Sequence, residues 1–252
     1  MINYSIILDT YEGQLELNEA EFKRGGIAGI IIRLNDTRGS HHKDDLFDLQ
    51  WAQSKEFSPV PYFVYRPWNT GQQNYDWLAA NMPVCPAVFI DIELRNLEMT
   101  PAAQGAEFNQ FIALCKRKWK TVIYTGQWFL PNQAPWPAGD YWWSAYPTVM
   151  YPAVVTPVTW DGLRARIAQI IWPVWNAQSC PGTIKLWQCS GDKFIVPGTI
   201  KVMDINVFPG TPAEYRAWLG LDIPVPPPVT LTWEQSITAW ARTLGYIGVD
   251  PT

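Results

Sequence analysis

The chain reads as an α/β protein, an irregular, flattened β/α barrel that is TIM-like but has fewer helices in its second half. Three observations point there. Short apolar runs rich in β-branched residues alternate with amphipathic stretches through the first half, which implies parallel strands joined by right-handed crossovers. Strand-like runs then continue with one convincing helix among them, so an incomplete or flattened barrel is expected rather than a regular eightfold one. The length, 252 residues, suits one barrel of roughly 200–250 residues.

The elements follow in order. Residues 5–9 form a first apolar strand and 27–34 a second. Between them Asn18, with Glu21 three residues on, starts a short helix that ends at Gly25-Gly26. Residues 44–55 have helical spacing, 60–65 form a third strand, 71–81 a helix and 87–91 a fourth strand. Thr100-Pro101 is an N-cap followed by proline at the first helical position. It opens a helix to residue 118 with Phe108, Phe111, Ile112 and Cys115 on one face. Residues 121–124 are a fifth strand. Runs at 141–146, 184–189 and 201–208 look like strands, with a helix near 161–171. The barrel spans 1–222. A proline-rich linker, 223–229, is stiff and extended, and a tail, 230–252, carries a short helix with Trp233, Ile237, Trp240 and Leu244 on one face.

Composition narrows the function. A net charge of −4 with scattered Lys and Arg gives no sign of a polyanion partner, so no nucleic acid is expected. The chain holds 15 Trp, 11 Tyr and 10 Phe. Most such rings pack cores, but aromatic faces also stack on the C–H faces of sugars. No apolar run approaches the ~18 residues of a membrane span, and the N-terminus has no signal-peptide pattern. Synthesis in a cytoplasm without membrane insertion is expected. Cys85, Cys115, Cys180 and Cys189 match no zinc spacing. Cys180 and Cys189 flank a Pro-Gly turn and could pair in an oxidising compartment; free thiols are the ordinary state after cytoplasmic synthesis. No metal or cofactor is expected.

The chemistry-bearing pattern is acidic. Asp9, the pair Asp91 and Glu93, and Asp204 lie on or next to predicted strand ends, where barrel enzymes place their sites. Side chains at i and i+2 of a strand share a face. Asp91-Ile92-Glu93 therefore aims two carboxyls one way while Ile92 faces the packing layer. Like charges this close raise one pKa and keep one group protonated. Glycoside hydrolysis needs such an acid, although any one of these acids could instead end a strand or cap a helix.

The order of landmarks adds more. Asp9 is followed by Gly29-Ile-Ile-Ile-Arg33, Pro61-Tyr62-Phe63 and Asp91-Ile92-Glu93. Then come Tyr124-Thr125, Trp143-Ser144-Ala145, Leu186-Trp187-Gln188 and Asp204-Ile205-Asn206. In this order, from about Ile6 to Gly220, the chain resembles glycoside hydrolase family 25, the Chalaropsis-type lysozymes that include phage endolysin muramidases. The resemblance implies Glu93 as general acid/base and Asp91 as the group that orients the substrate's own 2-acetamido during a retaining cleavage. It also implies Asp9 and Asp204 as electrostatic and sugar-binding acids, with Tyr62, Tyr124, Trp143, Trp187 and Asn206 as substrate-binding residues. On the third strand Tyr62-Phe63-Val64 stands where the family shows Tyr-His-Phe, so a polar group is missing from the expected pocket.

By this resemblance the expected activity is that of an N-acetylmuramidase, a lysozyme cutting the β-1,4 bond between N-acetylmuramic acid and N-acetylglucosamine. The expected partner is bacterial peptidoglycan, met by a monomer that reaches the wall through a holin-dependent route or as a virion part. Two alternatives stand beside it: a chitinase-like hydrolase, since D-x-E strand ends also serve that chemistry, and a non-catalytic wall-binding or tail module on a lysozyme fold.

Overall fold

The structure, a computed structural model, describes residues 4–11, 17–36, 41–170 and 179–221. The linker and tail predicted after residue 222 lie outside the described residues. Its strands are β1 (Ser5–Thr10), β2 (Ile27–Arg33), β3 (Val60–Val64), β4 (Ala87–Asp91), β5 (Lys120–Gly126), β6 (Asp140–Ser144), β7 (Thr156–Pro157), β8 (Thr183–Ile195) and β9 (Met203–Phe208). The helices are α1 (Glu19–Gly25), α2 (Phe47–Gln53), α3 (Gly71–Asn81), α4 (Pro101–Cys115), α5 (Trp160–Ile167) and α6 (Pro212–Leu219).

Strands β1 to β6 pair in sequence order as parallel neighbours, and β6 continues to β8 in parallel. β9 returns antiparallel to both β8 and β1. The ring is therefore closed and mixed, with eight strands, and the short β7 is added on β8. The expected irregular barrel is thus present as a closed ring, and its irregularity lies in the direction of β9 and in the thin helix layer after β5. Because β9 runs backwards, its first residues share a rim with the C-terminal ends of the parallel strands. Asp204, at the start of β9, pairs in register with Asp9 near the end of β1.

Alternation divides each strand between two apolar layers. Ile7, Ile31, Tyr62, Val64, Phe89, Val122, Tyr124, Trp142 and Leu186 fill the barrel interior. Their neighbours Leu8, Ile30, Ile32, Phe63, Ile90, Ile123, Trp143 and Trp187 pack outward, against helix residues such as Phe22, Phe47, Phe108, Phe111 and Leu163.

Local signals set the helix ends. Asn18 accepts from the Glu21 amide and Gly26 closes α1 at φ 63°, as the spacing predicts. Thr100 accepts from the Ala103 amide before Pro101. α2 starts later than residue 44 because Asp44 is diverted: its Oδ1 accepts from the Leu46 amide at 3.0 Å and its Oδ2 from Arg33 Nε at 2.9 Å. α6 has no counterpart among the predicted elements. A capping box between Thr211 and Glu214 starts it, and Gly220 at φ 72° ends it. Tyr215 and Leu219, four residues apart on one face, join the interior layer. Trp218 Nε1 donates to Asp140 Oδ2 at the start of β6 (2.8 Å). α6 thus covers the end of the barrel opposite the acids. All four cysteines are free thiols, Cys180 and Cys189 included.

Candidate active site

The inward-facing residues at the C-terminal rim of the parallel strands are mostly polar or acidic. Register places Val64 of β3 against Asp91, and Asp91 against Tyr124 of β5. Ser144 of β6 pairs with Gln188 of β8, and Gln188 with Asn206 of β9. Asp9 and Asp204 complete the ring. Glu93 lies two residues beyond the end of β4, past Ile92, which is buried in the outer layer. The four acids expected to act together therefore share one end of the barrel.

Gln188 organises them. Its amide oxygen accepts from the hydroxyls of Tyr124 (2.6 Å) and Tyr146 (2.7 Å). Its amide nitrogen reaches Asp9 Oδ2 and Asp204 Oδ2, each at 3.3 Å. Asn206 Nδ2 donates to Asp9 Oδ2 at 2.7 Å, while its oxygen accepts from Trp142 Nε1, also at 2.7 Å. The backbone amide of Asp192, held at φ 51°, donates to Asp204 Oδ1 at 2.8 Å.

Burial and like charge disfavour ionisation throughout this cluster. Burial pushes the Asp9 carboxyl up to about 7, against hydrogen bonds from Asn206 and Gln188 that pull it down. Burial, then Glu93 and Asp9, hold Asp91 well above the usual carboxylate range; Arg33 and Arg66 oppose this. Asp204 is raised well above its usual range by burial, then by Asp9 and Asp192. Glu93 is raised by burial, and the Tyr124 hydroxyl within hydrogen-bonding reach draws it back. Protonated carboxyls near neutral pH are what acid catalysis requires.

The predicted substrate-binding residues divide. Tyr62 and Tyr124 face the interior beside the acids, their phenols kept neutral by burial. Asn206 is fully buried beneath Asp9 as a structural clamp. Trp143 and Trp187 are 0% and 1% exposed and point into the outer layer, so direct sugar contact is not available to them. The inward ring on β6 is Trp142, which packs 4.4 Å from Tyr124 between ring centroids. Phe63 also points outward, onto His41, Trp77 and Phe111. The residue that replaces the family's usual histidine thus lies outside the site, and the pocket expected to lack a polar group is not formed by it.

Sequence reasoning passed over four participants. In the sequence Gln188 and Arg33 stand out only as the ends of landmark motifs. Arg66 could have been placed by carrying the alternation of Tyr62 and Val64 two residues further. Nothing periodic marks Asp192, since it sits where the register of β8 shifts.

Comparison with known proteins bears on the fold and the family. The family model described as "Glycosyl hydrolases family 25" matches residues 8–160. No curated protein matches the chain. Among solved structures, the bacterial lysozyme from Streptomyces coelicolor is similar at 18% identity and TM-score 0.62, over 86% of this chain and 97% of that one. A family 25 glycosyl hydrolase from Bacillus anthracis matches at 17% identity and TM-score 0.61, over 85% and 93%. The CTP1L endolysin matches at 15% identity and TM-score 0.57, over 86% and 70%. At these identities the structures show a shared fold, and the family model, which covers more than half of the residues, shows the kinship: the chain belongs to the glycosyl hydrolases of family 25.

Proposed function

We propose that the protein is a peptidoglycan hydrolase of the bacterial cell wall, an N-acetylmuramidase cutting the β-1,4 bond between N-acetylmuramic acid and N-acetylglucosamine. One observation carries the reading: the half-buried carboxyl of Glu93, its pKa raised by desolvation, stands on the rim two residues past Asp91 and faces Tyr124. In the first step Glu93 gives its proton to the glycosidic oxygen as the bond from that oxygen to the anomeric carbon breaks. The substrate's acetamido oxygen forms the new bond to that carbon, while Asp91 accepts from the acetamido N–H, orients the group and stabilises the positive charge that spreads to its nitrogen. Water then attacks the anomeric carbon, its proton returns to Glu93, and the ring made by the acetamido opens. Two inversions leave the configuration retained, with no protein nucleophile.

Purified peptidoglycan tests this with the wild-type protein, Glu93→Gln and Asp91→Asn. Loss of turbidity, muramic acid at the new reducing ends and a β-anomer as the first product are expected from wild type. Glu93→Gln should lose about 10²–10⁴ in rate, the usual share of a general acid. Clearing by Glu93→Gln as fast as wild type would remove Glu93 from its role. Glucosamine reducing ends would replace muramidase by glucosaminidase, and turnover of chitin oligomers without wall clearing would favour a chitinase.

A further inference from the structure

Beside the acids the rim carries an open aromatic stack. Tyr146 and Tyr151 lie in the loop after β6, both exposed, with ring centroids 5.1 Å apart and planes 9° from parallel. The stack is fastened to the acid network, because the Tyr146 hydroxyl donates to Gln188 Oε1 at 2.7 Å. Gly191 of β8 permits this approach: a Cβ there would stand 2.7 Å from the Tyr146 hydroxyl oxygen. Tyr151 in turn carries Lys193 of β8, whose ammonium lies over its ring, 4.4 Å from the centroid. Lys193 is also fixed through the main chain, since the amide of its neighbour Asp192 donates to Asp204 Oδ1 at 2.8 Å.

Phe194 is fully buried, so strand alternation turns the half-buried Lys193 to the opposite side. Among the described residues its ammonium makes no ion pair and no hydrogen bond; the Tyr151 ring is its partner. The acids close to it along the sheet do not serve. Both oxygens of Asp204 are engaged, by the Asp192 amide and by Gln188, and Asp192 is exposed without pairing to it. A ring face attracts a cation without neutralising it, so the charge stays available to an anion that arrives with the substrate. Peptidoglycan supplies one. A muramic unit differs from glucosamine by a lactyl ether that ends in a carboxylate, or in an amide to an acidic stem peptide. The exposed tyrosine rings add apolar surface for the C–H groups of the same unit.

We propose that Lys193, held on the Tyr146–Tyr151 stack, is a specificity-determining residue that receives a carboxylate of the muramic unit, carried on its lactyl ether or on the stem peptide attached to it. The inference rests on the muramidase reading above and names the group by which that site tells muramic acid from glucosamine. Lys193 takes no part in bond making; it selects and holds the substrate.

The test compares wild type, Lys193→Met and Lys193→Arg on one soluble muramic acid–glucosamine oligosaccharide prepared in three forms. In the first the lactyl carboxylate is free, in the second it is capped as an uncharged methylamide, and in the third it is joined to an acidic stem peptide. Wild type is expected to favour a charged form over the methylamide by about 3–10-fold in kcat/KM, the worth of a partly exposed charged contact. The difference should lie in KM with kcat nearly unchanged, as for an interaction made equally in the ground and transition states. Preference for the free acid would place the lactyl carboxylate on Lys193; preference for the third form would place the stem peptide there. Lys193→Met should cleave all three forms alike, at the rate of wild type on the methylamide, and Lys193→Arg should keep most of the preference. Lys193→Met that discriminates as wild type does, or a wild type that cleaves the three forms equally, would overturn the proposal while leaving muramidase activity standing. A wild-type protein that cleaves none of them would overturn the parent reading, and this inference with it.

Discussion

Gln188 joins two hydroxyls to two carboxyls through the two ends of one amide. A neutral side chain can do this among like charges, whereas a cation would lower the pKa of every acid it touched. Asp9 shows what the arrangement costs. Its carboxyl, ordinarily near 3.8, rises to about 7 because burial penalises the anion. Below about pH 4 folded and unfolded chains both hold this proton. As pH rises toward 7 the unfolded chain releases it freely while the folded chain retains it, so this group's contribution to stability falls across that window and levels off above it. Asp9→Asn has no proton to lose, and its amide oxygen can still accept from Asn206. The melting temperature of Asp9→Asn minus that of wild type should therefore widen between pH 4 and pH 7 and stay level beyond. A difference constant with pH, measured by calorimetry, would contradict the assignment.

Secondary elements divide between those that present the site and those that support it from a distance. The loops after β3, β4 and β6 and the irregular part of β8 bring Arg66, Glu93, Tyr146 and Asp192 to the rim. α6 belongs to the second group. Its capping box orients Tyr215 and Leu219 into the far end of the barrel, and Trp218 stacks on Phe208 with centroids 5.4 Å apart. Leu219 is fully buried there. Leu219→Ala should lower unfolding free energy by about 2–5 kcal/mol, the range for emptying a packed leucine site. Urea denaturation would measure that loss. The pH profile of activity well below the melting temperature should be unchanged, because the cavity opens at the end away from the acids; a displaced profile would show that α6 also tunes the site.

For the molecule as a whole, closure of the ring is the decisive feature. Among the described residues, each of the eight ring strands is paired on both sides between Ser5 and Phe208. A chain ending at residue 222 is therefore expected to unfold in one cooperative transition and to hydrolyse soluble oligosaccharide at a rate close to that of the full chain. Scanning calorimetry and reducing-sugar release would check this. A truncated chain that fails to fold would show that the barrel needs residues 223–252. Among the described residues no helix is long and apolar enough to cross a membrane.

Much of this architecture is local and could be read before any contact was known. The two-residue alternation marked β1 to β5, and caps at Asn18 and Thr100 marked where helices begin, because each depends on residues within a few positions of one another. The Asp91–Glu93 pair was legible for the same reason: two-residue spacing carries the strand's alternation just past its end at Asp91. Other features depend on which face turns inward and which strands meet. Trp142 and Trp143 are adjacent and equally apolar, so their roles are interchangeable until ring closure turns one in and the other out; a shift of one residue reverses the choice. The return of β9, which carries Asp204 to the same rim as Asp9, was not visible either, since strand direction is set by hydrogen bonds between segments nearly 200 positions apart. The same holds for Gln188, whose amide nitrogen meets Asp9 and Asp204 only once β8, β9 and β1 close the ring.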